Sequence, residues 1–132
     1  MPITYEVFPF DGVIRETWHG EVTIAMLRRH WETMLSDPGC LRLRRTLADL
    51  RLASLRFSER ELQDAVREVG FPLLAGRDWI SAIVVRKSLQ LRMASRYQAV
   101  ASIFSQDAIF SMEEEAERWL TRQEKRSFES EK

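Results

Sequence analysis

The fold class follows from one short stretch of the chain, Ile80-Ser81-Ala82-Ile83-Val84-Val85. It is brief, rich in β-branched residues and almost continuously apolar, which is typical of a strand covered by helices on both faces. Stretches with helical periodicity precede and follow it. Strands separated by helices of about 10–15 residues connect through right-handed crossovers and lie parallel. The stretch therefore predicts an α/β domain with a parallel sheet.

Upstream, the chain opens with a predicted β-hairpin. Residues 3–8 alternate between two faces with period two, as a half-buried strand does. Asp11-Gly12 suits a two-residue type I′ turn, in which both residues take a positive φ. A second strand, residues 13–22, is predicted to pair antiparallel with the first.

Four helices and two further strands complete the prediction. Ser58 and Glu61 have the spacing of a capping box, and this helix is predicted to stop at Gly70 and Pro72. The remaining helices begin at Thr23, Ser88 and Ser111, and the strands span residues 46–50 and 108–110. The order β-β-α-β-α-β-α-β-α predicts a single-domain mixed five-stranded sheet with four helices over residues 1–121. Residues 122–132 form a charged tail that is predicted to fray.

Composition excludes several functional classes. Twenty basic and twenty acidic residues leave no net charge, so no global field favours nucleic acid, and the arginines near residues 28–45 are interpreted as a solvated face. The single cysteine, Cys40, forms no internal disulfide and fits a reducing compartment. No signal peptide is recognisable. No apolar stretch is close to the length of about 18 residues that a membrane-spanning helix requires. A cytoplasmic protein without membrane insertion is predicted.

Catalytic and cofactor sites are not predicted. His30 is placed on the exposed side of the first helix and His19 on the second strand, so neither is paired with a nucleophile. One cysteine and two scattered histidines give no metal-ligand spacing, and five dispersed glycines give no phosphate loop.

Four stretches carry a family resemblance. They are Gly20-Glu21-Val22-Thr23, Leu47-Ala48-Asp49-Leu50-Arg51, Ala82-Ile83-Val84-Val85 and the ending Ala108-Ile109-Phe110-Ser111 to Ala116-Glu117-Arg118-Trp119-Leu120. Their order and spacing, from about residue 13 to residue 120, resemble the STAS-like bacterial family, which is similar in fold to the sporulation anti-sigma factor antagonist. The resemblance implies a mixed sheet wound with helices, in a domain that acts by protein–protein contact or small-ligand sensing.

Ser58 is a candidate phosphosite by this resemblance. Anti-sigma factor antagonists carry an Asp-Ser-Ser-Gly-like segment at the start of the helix after the third strand, and a kinase phosphorylates one of its serines. Here that region reads Leu55-Arg56-Phe57-Ser58-Glu59-Arg60-Glu61, without the preceding Asp or the following Gly. A capping role by itself explains a serine at this position.

A second candidate site lies where the parallel strands end. In open α/β sheets ligands favour the carboxyl ends of the strands, and helix N-termini there attract anions. The candidate anion-binding residues are Asp49, Arg51, Arg86, Lys87 and Ser88. The alternative is that Arg51 pairs with Asp49 while Arg86 and Lys87 are ordinary solvated side chains.

The hairpin is the candidate interface. It carries Phe8, Phe10 and Trp18, more large apolar residues than one core-facing side requires, which predicts a homodimer. The alternative is that helices cover both sides of the hairpin.

Three functions remain open from the sequence. The first is a non-enzymatic, STAS-like regulatory or protein-interaction domain with a regulatory protein partner, which would present an apolar patch without a cavity. The second is a small-ligand binder, with a lipid, nucleotide or other anion as ligand, since the family is compared with the CRAL-TRIO lipid-transfer fold. A binder would show an apolar pocket with a few convergent polar groups. An enzyme is the third possibility, because fold does not determine function.

Overall fold

The computed structural model describes the backbone of residues 2–130 and the side chains of residues 2–123. Five strands form one sheet in the order β1-β2-β3-β4-β5. Their bounds are β1 Ile3–Phe8, β2 Val13–Thr23, β3 Arg45–Arg56, β4 Trp79–Val84 and β5 Ser105–Phe110. The first pair is antiparallel and the other three pairs are parallel. The predicted mixed five-stranded α/β sheet is confirmed.

The helices are α1 Ile24–Met34, α2 Pro38–Leu43, α3 Glu59–Ala65, α4 Phe71–Leu74, α5 Ser88–Ala101 and α6 Glu113–Ser130. The four predicted helices correspond to α1, the stretch from α3 to α4, α5 and α6. The short helix α2 lies between the first helix and the strand predicted at 46–50, where no helix was predicted. Its N-cap is Asp37, whose Oδ1 accepts a hydrogen bond from the Gly39 N–H at 2.9 Å.

The helical stretch after β3 does not stop at Gly70 and Pro72, as predicted. It widens into one π-helical turn, Val66–Gly70, and continues as α4. Pro72 is tolerated because it lies in the first turn of α4, where proline is favoured at helix starts. π-helical turns occur frequently at functional sites.

The hairpin loop also differs from the predicted two-residue turn. Phe8 pairs with Val13, so the loop comprises residues 9–12. The Gly12 N–H donates to the Pro9 carbonyl oxygen at 3.3 Å, and Gly12 has φ 68°. Asp11 has no positive φ, so the turn is not type I′. Pro9 lacks an N–H and cannot extend the β-ladder, which explains the longer loop.

Strand β3 is more than twice as long as the predicted 46–50. Its first part pairs with both neighbours, ending at the pair Asp49 and Val84 on β4. From Leu52 to Arg56 it continues alongside β2 only, beyond a bulge in β3, where residues 50 and 51 oppose a single residue of β2 between Thr17 and His19. The carboxyl end of β3 therefore lies far from the end of β4, and so does the start of α3.

Helices cover the two faces of the sheet unequally. One face packs against α1, α3 and α5 in a large core that includes Trp18, Leu27 and Ile83. On the other face, α6 places Ala116 and Leu120 against the sheet. Strand β4 is covered on both faces, as its sequence predicted. Within residues 2–130, no helix has the length and apolarity needed to cross a bilayer. The tail predicted at 122–132 overlaps α6 as far as Ser130, and the side chains of 124–132 lie outside the described residues.

Candidate functional site

A cavity of about 70 Å³ lies between the sheet and the layer formed by α1, α3 and α5. Most of its wall is apolar and includes Trp31, Leu62 and Met93. All of its lining residues except Phe57 and Tyr97 are buried, so these two half-buried side chains lie on its solvent side. Three polar residues also line it, namely Glu16, Ser81 and Tyr97.

Glu16 enters the cavity because of its position on β2. Alternate residues of a strand face the same side, so Ile14, Glu16 and Trp18 all point toward the helices. Ile14 and Trp18 are core residues, whereas Glu16 is a carboxylate that is only 6% exposed. A buried carboxylate requires hydrogen-bonding or charged partners to offset its desolvation.

Two partners stabilise Glu16, and both use the same oxygen. Nε2 of His30 donates to Oε1 at 2.8 Å, and the indole N–H of Trp18 donates to Oε1 at 3.0 Å. In the described part of the chain, Oε2 takes part in no hydrogen bond or ion pair. The carboxylate is therefore held firmly while one of its acceptors stays available.

The prediction that His30 is exposed is wrong. His30 lies three residues after Leu27 and so on the buried stripe of α1, with 8% of its surface exposed. Its ring meets Tyr5 and Trp18 edge-on, with centroids 5.9 and 6.5 Å away. His30 approaches the cavity through Glu16 and does not line it.

A second buried carboxyl, Asp107 on β5, lies beside Ser81 in the β4–β5 register. The Ser105 hydroxyl donates to its Oδ1 at 2.8 Å, while Oδ2 is buried without a hydrogen-bond partner. Burial raises the pKa of Asp107 to about 6, against the lowering effect of hydrogen bonds from Ser105 and Ser81. Asp107 is thus protonated far more readily than an exposed aspartate.

Tyr97 on α5 completes the polar part of the wall. Burial of its hydroxyl raises its pKa well above the ordinary value, and the charges of Asp107 and Glu16 raise it further. The hydroxyl consequently stays protonated at neutral pH. The ring is half-buried and lies 5.9 Å from that of Trp31. Tyr97 can therefore both donate and accept a hydrogen bond at the cavity entrance.

The predicted anion site is only partly assembled. Nε and Nη2 of Arg51 donate to the two carboxylate oxygens of Asp49, both at 2.9 Å, and this pairing holds the pKa of Asp49 below its ordinary value. Arg86 also lies near enough to lower that pKa. Nη2 of Arg51 is a further 3.8 Å from Glu113. The alternative expectation, that Arg51 pairs with Asp49, is what the structure shows.

The two helix starts do not meet at this site. From Asp49 to the end of β3 at Arg56 the chain runs seven residues, or about 23 Å, so Ser58 lies well away from Arg86. The cap of α5 is Lys87 and not Ser88, which is exposed. The backbone N–H groups of Arg86 and Lys87 donate to Oε1 of Gln90 at 2.8 and 3.0 Å.

The capping role of Ser58 is confirmed. Its Oγ accepts a hydrogen bond from the Glu61 N–H at 3.1 Å, and Oε1 of Glu61 accepts one from the Ser58 N–H at 2.9 Å. The side chain is exposed, and phosphorylation there stays a prediction.

The three candidate interface residues do not form one patch. Trp18 is buried on the face covered by α1, so it belongs to the core. Phe8 is half-buried on the opposite face, with the Arg15 guanidinium 6.0 Å from its ring centroid. Phe10 projects from the hairpin loop and is fully exposed. Among the described side chains, Phe10 is thus the one member of this set that is free to contact a partner.

The site residues found here differ from those predicted. The sequence contained a signal for Glu16, a charged residue at a core-facing position of an alternating strand. For Asp107 no such signal existed, because β5 is short and its alternation weak. Over residues 2–123, no three His, Cys, Asp or Glu side chains cluster as metal ligands would.

Comparisons with known proteins bear on the fold. No protein-family model and no curated protein matches the sequence. A solved structure, of an uncharacterised DUF3478 protein with a SpoIIAA-like fold from Shewanella loihica PV-4, superimposes with a TM-score of 0.54. The match covers 89% of this chain and 91% of that chain at 16% identity, so it bears on the fold alone. The STAS-like resemblance seen in the sequence is confirmed, and the chain has the SpoIIAA-like fold.

Proposed function

We propose that this chain is a non-enzymatic, STAS-like regulatory domain that binds a small, mainly apolar molecule in the cavity beneath α1, α3 and α5. The observation that carries the proposal is the buried Glu16, whose Oε2 is unengaged and which lines a mostly apolar wall. An apolar cavity with a few convergent polar groups is the form of a ligand site, whereas a pure interaction domain needs none.

Cavity size limits the ligand. A volume of about 70 Å³ is roughly half of the about 150 Å³ that holds benzene in an engineered protein. The ligand is therefore a molecule of a few heavy atoms, or else the entrance side chains Phe57 and Tyr97 move to admit a longer one. These two side chains are the half-buried members of the wall. Phe57 lies just before α3, and Tyr97 lies on α5.

The indole N–H of Trp18 provides a direct test, since it contacts Glu16 and its residue lines the cavity. We expect titration with 1-butanol to shift this resonance in the ¹⁵N–¹H spectrum. Ala94→Leu fills the cavity from α5 and should abolish the shift. Ala99→Leu adds the same atoms at an exposed position of the same helix and should leave it intact. Equal responses of the two variants would contradict binding in this cavity.

A second candidate function, contact with a regulatory protein, is favoured by a different observation. Phe71 on α4 and Ile103 after α5 line one surface groove and are 43% and 75% exposed. Large exposed apolar side chains that lie together often mark interaction sites. Ile103→Glu should weaken any partner complex without changing 1-butanol binding, which would separate the two functions.

A further inference from the structure

We propose that the ligand of this cavity carries a primary amine, which Glu16 binds, and that the cavity rejects anions. The inference rests on the proposed function and adds the chemical class of the ligand. It replaces the anionic ligands that the sequence left open with a cation.

The charges that face the cavity all have one sign. Glu16 lines it directly, and no lysine or arginine occurs among the fourteen described residues of the wall. His30, the partner of Glu16, lies behind that carboxylate and is not part of the wall. An anionic ligand would thus meet a carboxylate with no cation of its own to pair with.

A second acid strengthens this negative field. Asp107 is 8% exposed, adjoins Ser81 of the cavity wall, and leaves Oδ2 buried without a hydrogen-bond partner. The charges of Asp107 and Glu16 both act on the Tyr97 hydroxyl, which places all three groups within electrostatic reach of one another. Glu16 is the acidic group that faces the cavity directly, whereas Asp107 acts on it from the neighbouring position on β5.

The hydrogen-bonding groups also suit an ammonium. A primary ammonium has three donors and no acceptor. The wall offers acceptors at Oε2 of Glu16 and at the hydroxyls of Ser81 and Tyr97. The remaining wall takes an alkyl or aryl tail, and the rings of Trp18 and Trp31 are of the type that attracts a cation.

The competing explanation is that the cavity holds only water. A space of about 70 Å³ accommodates water molecules, and polar walls retain them. In that case Glu16 and His30 would only stabilise the fold, and binding of an added molecule would not depend on its charge.

Three four-carbon probes, n-butylamine, 1-butanol and butyrate, distinguish these explanations. Each is titrated into the full chain near pH 7. The amine is then fully protonated, as a lysine side chain is. From the Trp18 indole resonance we expect the amine to bind at least about tenfold more tightly than 1-butanol, a difference of one decade in Kd. Butyrate should not bind.

Glu16→Gln preserves the shape of the side chain and removes its charge, so it should abolish the preference for the amine while 1-butanol still binds. Asp49→Asn, which removes a carboxylate on the opposite face of the sheet, should leave the preference unchanged. If all three probes bind wild type equally, the amine proposal is wrong and the cavity function stands. If none binds, both are wrong. The wild-type ranking decides the matter even if Glu16→Gln does not fold.

Discussion

The side-chain amide of Gln90 on α5 donates a hydrogen bond to the carbonyl oxygen of Ala53 on β3, 2.8 Å away. Ala53 lies in the part of β3 that β4 does not reach, so its carbonyl lacks a strand partner on that side. Oε1 of the same amide accepts from the N–H groups of Arg86 and Lys87. One buried glutamine thus satisfies the two N–H groups that precede α5 and the unpaired carbonyl at the edge of β3.

Replacing Gln90 should lower the free energy of unfolding substantially. Gln90→Leu keeps the side chain's bulk but leaves the Ala53 carbonyl and two N–H groups unsatisfied, which costs about 1–3 kcal/mol for each group that cannot reach water. Urea unfolding should show a lower midpoint with an unchanged slope. Gln63→Leu is the control, because the Gln63 amide makes no hydrogen bond within the described side chains. Equal stability of the two variants would contradict the role assigned to Gln90.

Ser58 and Ser88 form a matched pair for testing helix capping. Ser58→Ala removes the acceptor of the Glu61 N–H and should lower the free energy of unfolding by about 0.5–2 kcal/mol. Ser88→Ala should change it little, because the cap of α5 is Lys87. Chemical denaturation measures both. A Ser58→Ala protein of unchanged stability that has lost a protein partner would instead favour the phosphosite.

Asp107 should make stability depend on pH. Its pKa is raised from 3.8 to about 6, so the native state binds this proton more tightly than the unfolded state does. The resulting stabilisation is complete below the unfolded pKa and is lost as the pH rises through about 6. The Asp107→Asn side chain does not titrate. As the pH rises from about 4.5 to about 7.5, the free energy of unfolding of this variant should therefore increase by about 2 kcal/mol relative to that of wild type. A stability difference that does not vary with pH would disprove this assignment.

The two aromatic residues of the hairpin should respond in opposite ways. Trp18→Glu buries an unpaired charge in the core and should prevent folding. Phe10→Ser changes a fully exposed side chain and should preserve the fold. If the hairpin mediates a homodimer, sedimentation at micromolar concentration will show a dimeric wild type and a monomeric Phe10→Ser protein. A wild type that is monomeric at every concentration rules out the homodimer.

Anion binding at the end of β4 should depend on Asp49. Because Arg51 is paired with Asp49, we expect phosphate to shift the amides of residues 86–91 only weakly in wild type. Asp49→Asn releases the guanidinium and should strengthen those shifts. Strong phosphate binding by wild type that Asp49→Asn does not increase would show that the ion pair does not compete with anions.

Local signals predicted much of the fold. The apolar run at β4 and the capping box at Ser58 each depend on neighbouring residues alone, and both lie where they were expected. The second half of β3 was missed because residues 52–56, Leu-Ala-Ser-Leu-Arg, lack the strict alternation of apolar and polar side chains that marks a half-buried strand. They form a strand because the long strand β2 lies alongside them, a pairing between residues far apart in sequence.

The cavity was missed for a similar reason. His30 is flanked by Arg29 and was interpreted as exposed, although its spacing of three from Leu27 and four from Met34 fits the buried stripe. The carboxylate that makes burial of this histidine favourable, Glu16, lies on another element. Single-element patterns do not reveal such pairs, because each polar residue is stable in the core only when the other is present.

The face of the sheet that α6 covers is the last part of the domain to be buried during synthesis. The strands and the helices of the opposite face precede α6 in the chain, so the ribosome releases them first. Until residues after Ser111 emerge, Leu47, Ala82 and Val84 form a bare apolar strip on an otherwise assembled sheet. Such strips are prone to association in nascent chains. We therefore expect the nascent domain to need chaperone protection until α6 docks.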